Sequence, residues 1–152
     1  MGGAMSTSVP STRMTGIGRV LVIVYAVMAL AATGRSFVQI VRQFDDAPLA
    51  YSLSAVAAVV YVLATLALIF ARRPGWYTVA WVAIVFELTG VLVVGALSIF
   101  LPDLFPHDTV WSMFGRGYLF IPLVLPVFGI WWLRTHRPAV VVTKPASTGV
   151  VA

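Results

Sequence analysis

Three ionisable side chains, Arg35, Glu87 and Arg116, fall inside stretches that are otherwise apolar, and they are where this sequence has the means to do chemistry. A charge held within a bilayer is costly, so such residues are retained for pairing, for binding or for moving protons. A carboxylate beside one guanidinium makes an ion pair that fixes helix register. Two guanidiniums around one carboxylate leave net positive charge, which a lipid phosphate or a small carboxylate would neutralise. A carboxyl without either would exchange a proton, the chemistry of proton-coupled transport. Glu87 lies eleven residues past Trp76, which at helical rise is about 16 Å, near mid-bilayer. Arg35 lies seven residues before Arg42, about 10 Å below the opposite surface, and Arg116 is at a similar or shallower level. Helical spacing puts Ala80, Ala83 and Gly90 around Glu87, and Ala31, Ala32, Gln39 and Arg42 around Arg35. Small neighbours let helices approach, so both charges are expected to face inward. The spacing predicts a cluster of Arg35, Gln39, Glu87 and Arg116, with Tyr25, Ser36, Thr89 and Ser98 available for hydrogen bonds.

The elements that must position this cluster follow from composition. The chain has 152 residues, 61% hydrophobic and 10% charged, and a mean hydropathy of +0.99. Ordinary domains are about 45–50% apolar and about 25% charged, so the outer surface here calls for lipid, and a soluble globular enzyme is excluded. The net charge of +5 does not indicate nucleic acid, because the cations flank apolar runs instead of forming one patch. The absence of cysteine excludes disulfides, thiolate zinc sites and a cysteine nucleophile. No lysine lies within an apolar run, which excludes a retinal Schiff base. Ser52, Ser54 and Ser98 have no histidine at their level, so no hydrolytic triad is expected. His107 and His136 belong to opposite membrane faces, and Asp103, Pro106, His107 and Asp108 read as a solvated turn. The sequence therefore predicts no catalytic group, no metal and no cofactor.

Four stretches reach the roughly 20 residues that span a bilayer: Ile17 to Val41, Leu49 to Ala71, Trp76 to Leu101 and Val110 to Leu133. They predict an all-α membrane protein, an antiparallel bundle of four transmembrane helices over residues 17–134, with mobile segments over 1–16 and 135–152. The connections are short: Arg42 to Pro48, the cations and breakers Arg72-Arg73-Pro74-Gly75, and Pro102 to Thr109. Arg13, Arg19, Arg72, Arg73, Arg134, Arg137 and Lys144 flank one set of ends, and Asp45, Asp46, Asp103 and Asp108 the other, which places both termini in the cytoplasm. Trp76, Tyr77, Trp81, Trp111, Tyr118, Trp131 and Trp132 suit interfacial anchors. On the second segment, Ala50, Ser54, Ala58, Ala64, Ala67 and Ala71 give small contact faces. Pro122 and Pro126 are expected to kink the fourth. Gly115, Gly117 and Pro122 leave a second reading of that segment, in which the helix begins only at Tyr118 and Arg116 lies in an interfacial turn. Arg13, Arg19 and Ala29-Leu30-Ala31 also imitate a cleavable signal peptide, but Phe37, Val38, Ile40 and Val41 continue the apolar run past that site. Met1-Gly2-Gly3-Ala4-Met5-Ser6 fits a myristoylation pattern that needs a eukaryotic host.

The segments ALAATGRSFVQI, FDDAPLAYSLSA and FPHDTVWSMFGRGY resemble small four-helix integral membrane proteins of GC-rich actinobacteria, over roughly residues 17–134. The resemblance implies a bacterial cell-membrane location and the four-helix arrangement, and carries no activity across. Size and helix count are also similar to small multidrug resistance transporters, whose membrane glutamate is in the first helix; here it is in the third. Two function classes follow. One is a non-catalytic membrane module, an accessory subunit or lipid-binding protein whose Arg/Glu cluster sets register or holds an anionic head group. The other is a small proton-coupled transporter using Glu87, oligomeric because four helices enclose little volume. Membrane lipid, a protein partner or further copies of the chain are the expected partners.

Overall fold

The computed structural model describes residues 16–139, and the terminal segments, with Arg13, Lys144 and the myristoylation pattern, lie outside the described residues. The described residues are helical: α1 (Gly16–Gln43), α2 (Pro48–Ile69), α3 (Pro74–Phe100) and α4 (Ile121–Thr135), joined by short 3₁₀ turns at Phe44–Asp46, Pro102–Leu104 and Ser112–Tyr118. Proline sets the starts of α2 and α3. Pro48 and Pro74 each stand in a first turn, where the missing N–H has no intrahelical partner to lose, and Arg73 before Pro74 takes the extended conformation (φ −83°, ψ 131°) that a following proline favours.

Helices α1, α2 and α3 are long and apolar enough to cross a membrane. Their outward side chains are those lipid would solvate, with Leu30 76% and Phe100 79% exposed. The seams are built from small residues. Ala32, Ala50, Ser54, Ala57, Ala64, Ala67 and Ala80 have no exposed surface, and Ala58 and Ala71 are also buried, so α1 and α2 pack at close range. Tyr77 Oη donates to the Leu133 carbonyl at 2.7 Å, bringing the start of α3 to the end of α4. Ile84 meets Gly129 further along the same pair. Asp45, Asp46, Asp103 and Asp108 are exposed on the connections after α1 and after α3, the acidic end; Arg19, Arg72, Arg73, Arg134 and Arg137 are exposed at the other, basic end.

The fourth segment departs from a continuous helix over 110–133. Ser112–Tyr118 and Ile121–Thr135 meet at 99°, and the pair qualifies as one span only if the bend is counted in. The cause is local. Met113, Phe114, Gly115, Leu119 and Phe120 all have φ between 49° and 80°, the left-handed region, which a right-handed helix cannot pass through. Pro122 falls in the first turn of α4 and starts the helix instead of kinking it, while Pro126 lies inside a helix that continues past it. Trp111, expected as an interfacial anchor, is 2% exposed and faces the core. With 15 residues, α4 is only about 22 Å long, against about 30 Å of hydrocarbon.

Candidate functional site

Glu87 is fully buried on α3, between the small residues Ala80 and Ala83 and the α3 face at Gly90 that receives Trp111. Tyr25 of α1 donates its hydroxyl to Glu87 Oε2 at 2.7 Å. Tyr61 of α2 turns its hydroxyl toward the same carboxyl and lies ring to ring with Tyr25 at 6.3 Å. The Trp111 indole N–H donates to Tyr61 Oη at 3.2 Å. Helix α4 supplies a glycine: a Cβ on Gly129 would stand 3.0 Å from Ile84 and 3.4 Å from Tyr25 Oη. The carboxyl therefore has two phenols beside it, with the Trp111 indole bonded to one of them and Gly129 of α4 beside the other. Glu87 Oε1 makes no hydrogen bond.

The expected Arg/Glu ion pair is absent, and this corrects the reading of Arg35, Gln39, Glu87 and Arg116 as one cluster. Arg35 stands ten residues past Tyr25 on α1, about 15 Å toward the acidic end, beyond the level of Glu87. Its Nη2 donates to the Asp108 carbonyl at 2.6 Å and its guanidinium lies 5.9 Å from the centre of the Tyr118 ring. A cation next to an exposed loop finds a carbonyl and an aromatic face there, without burying itself more deeply. Arg116 is exposed in the bent segment, in contact with Met113 Sδ at 3.7 Å. Gln39 is half-buried near the end of α1, its Oε1 without a partner.

Of the hydrogen-bonding groups expected around the charges, Tyr25 alone reaches Glu87. Thr89 bonds Val85 of its own helix. Ser98 donates to the Gly95 carbonyl at 2.8 Å and accepts from the Met113 amide at 2.7 Å, pinning the bent segment to α3. That segment sits in glycine sockets. A Cβ on Gly90 would come within 2.6 Å of the Trp111 ring, and one on Gly95 within 2.6 Å of the Phe114 ring and 2.9 Å of its backbone nitrogen. Thr109 and Ser112 cap the approach, through the Ser112 hydroxyl on the Thr109 amide and the Thr109 hydroxyl on the Trp111 amide.

Tyr61 and Trp111 were not singled out from the sequence as site residues. A signal for Tyr61 was present: it lies thirteen residues into α2, far from either interface, on the face that carries Ser54, Ala57 and Ala64. Trp111 gave none, because its burial depends on Gly90 and on a left-handed bend that spacing does not reveal. Among the described residues no three His, Asp or Glu side chains converge as metal ligands would. A groove of about 640 Å³ runs between α1 and α4 and is lined by apolar side chains including Val20, Val24, Val124 and Phe128. It does not include the Glu87 group. No protein-family model matches the chain, and no curated protein or solved structure matches it.

Proposed function

We propose that this chain is a small multi-pass protein of a bacterial cell membrane, an antiparallel bundle of four spans with both termini in the cytoplasm, that couples passage of a solute to proton exchange at Glu87. The observation that carries this reading is the full burial of Glu87 with neutral phenols and, among the described residues, no cation beside it, Tyr25 donating to its Oε2. A carboxyl kept for register would be expected to have a counter-ion or a complete set of donors, since an unpaired buried charge is expensive. Glu87 has neither, and it lies where movement of any one helix changes its surroundings. The basic and acidic ends support the orientation, because arginines are retained on the cytoplasmic side. Four helices enclose little volume, so the transporting unit is an oligomer.

A second reading, a non-catalytic module that holds lipid, is favoured by the apolar groove between α1 and α4, whose chemistry suits an acyl chain. Proteoliposomes with an internal pH dye separate the two. A panel of organic cations, amino acids and sugars is expected to include a solute that moves protons in the native protein and not in Glu87→Gln. No difference between native and variant across the panel, together with phospholipid retained by both in native mass spectrometry, would establish the module instead.

A further inference from the structure

Five buried polar atoms on the spans have no hydrogen-bond partner: Arg35 Nε, Ser36 Oγ, Gln39 Oε1, Ser54 Oγ and Glu87 Oε1. Buried polar groups are normally satisfied, so a set of them in one region requires an explanation. Four of the five lie toward the acidic end from the Glu87 group. Ser54 precedes Tyr61 by seven residues on α2, about 10 Å, and Arg35, Ser36 and Gln39 follow Tyr25 by ten, eleven and fourteen on α1, about 15–21 Å. Ser36 and Thr33 are the polar residues of a groove of about 430 Å³ between α1 and α2 that is otherwise lined by apolar side chains such as Phe37, Val59 and Leu63, with Ser54 buried behind Ala55 and Ala58. Only Glu87 Oε1 lies on the far side.

Between the two stands Trp111. Its ring rests on Gly90, three residues past Glu87 on α3 and so about 4.5 Å toward the acidic end. Its indole N–H closes on Tyr61 Oη at 3.2 Å. The segment that carries it is tied to α1 and α3 by the Arg35 bond to the Asp108 carbonyl and the Ser98 bond to the Met113 amide, beside the ring contacts at Gly90 and Gly95.

We infer that Trp111 and Tyr61 form a closed gate between Glu87 and a polar entrance at the acidic end, where water reaches Arg35, Gln39, Ser36 and Ser54. This rests on the proton-exchange reading and specifies its route. When the indole lifts from Gly90, water carries a proton to or from the carboxyl, and the Tyr61 hydroxyl freed by the indole is the nearest relay. The groups facing Glu87 from the packed elements are Tyr25 of α1, Tyr61 of α2 and Trp111 of the bent segment, with Gly129 from α4. None of these carries a formal charge, so access governs the exchange. On the basic-end side of Glu87, Ile84 is fully buried against Gly129, with no unpartnered polar side-chain atom of the described residues beside it.

Infrared spectroscopy of the full chain in lipid nanodiscs tests the route. The carboxyl stretch of protonated Glu87 is identified by its loss in Glu87→Gln, at a pH below its ionisation, and its shift on transfer to D₂O is timed. Trp111→Phe keeps a ring over Gly90 and removes the hydrogen bond, so exchange should quicken about threefold to tenfold, the weight of one such bond. Ser54→Val in that background should slow it again, and Ile84→Ala should leave it unchanged. Exchange unaffected by Trp111→Phe, or quickened as much by Ile84→Ala, overturns the gate. A carboxyl stretch absent at every pH at which the chain stays folded overturns both the gate and the proton-exchange reading. A gated exchange without solute-driven proton movement in proteoliposomes keeps the gate and removes the transport reading alone.

Discussion

Tyr25 and Glu87 meet across the interior from α1 to α3, hydroxyl to carboxyl at 2.7 Å, both without exposed surface. The mid-span carboxyl therefore has a neutral partner, and the arginine expected to compensate it is bonded to a loop carbonyl. This separates two contributions to stability that an ion pair would have joined.

Tyr25→Phe should lower stability by about 1–3 kcal/mol, the cost of leaving a buried polar group without its donor. Combined with Glu87→Gln, it should show a coupling of about 0.5–3 kcal/mol, as for residues in contact. Arg35→Gln and Glu87→Gln share no partner and should add to within about 0.5 kcal/mol. Thermal unfolding in detergent measures all three, and strong coupling between Arg35 and Glu87 would restore the ion pair.

The glycine sockets predict an ordered series. Gly95→Ala drives a methyl toward the Phe114 backbone nitrogen and should cost the most, about 3 kcal/mol. Gly90→Ala presses on the Trp111 ring and should cost about 1–3 kcal/mol. Gly34→Ala, with nothing within 4 Å, should be neutral or gain about 0.5–1 kcal/mol from helix propensity. Equal Tm values across the series would show that the bent segment does not seat on α3.

Arg35→Gln should loosen residues 105–118 without disturbing the Glu87 group, because the guanidinium anchors the Asp108 carbonyl and lies over Tyr118. Hydrogen exchange read by mass spectrometry is expected to rise in that segment and to stay unchanged over the middle of α3. A uniform rise would instead make Arg35 a general determinant of stability.

A chain without cysteine reports its orientation cleanly. In intact cells an impermeant thiol reagent should label Asp45→Cys and His107→Cys at the acidic end and leave Arg73→Cys and Lys144→Cys unlabelled. The opposite pattern would invert the proposed topology.

How far the fold could be read from sequence depended on what each residue needs. The three long helices were legible because apolar length and the breakers around Pro48 and Pro74 act locally. The burial of Glu87 was legible from Ala80 and Ala83, whereas its partner was not: charge suggested Arg35, and depth together with the Asp108 carbonyl decided otherwise. The bend before α4 was legible only as the alternative that glycine and proline allowed. Its left-handed residues include Met113, Phe114, Leu119 and Phe120, types that do not favour that conformation; Phe114 is seated at Gly95 and the Met113 amide is held by Ser98, contacts with a distant helix that the local sequence does not announce.

The brevity of α4 has a consequence for the surrounding lipid. A helix of 15 residues beside three of 28, 22 and 27 presents a lower hydrophobic wall on one side of the molecule. In the proposed transmembrane placement, lipids beside α4 would shorten or tilt at a cost of a fraction of a kcal/mol per Å of mismatch, so that the bilayer thins on that side. Under that placement the belt is lopsided, and lipids with shorter acyl chains match the α4 side better than those of a thicker bilayer.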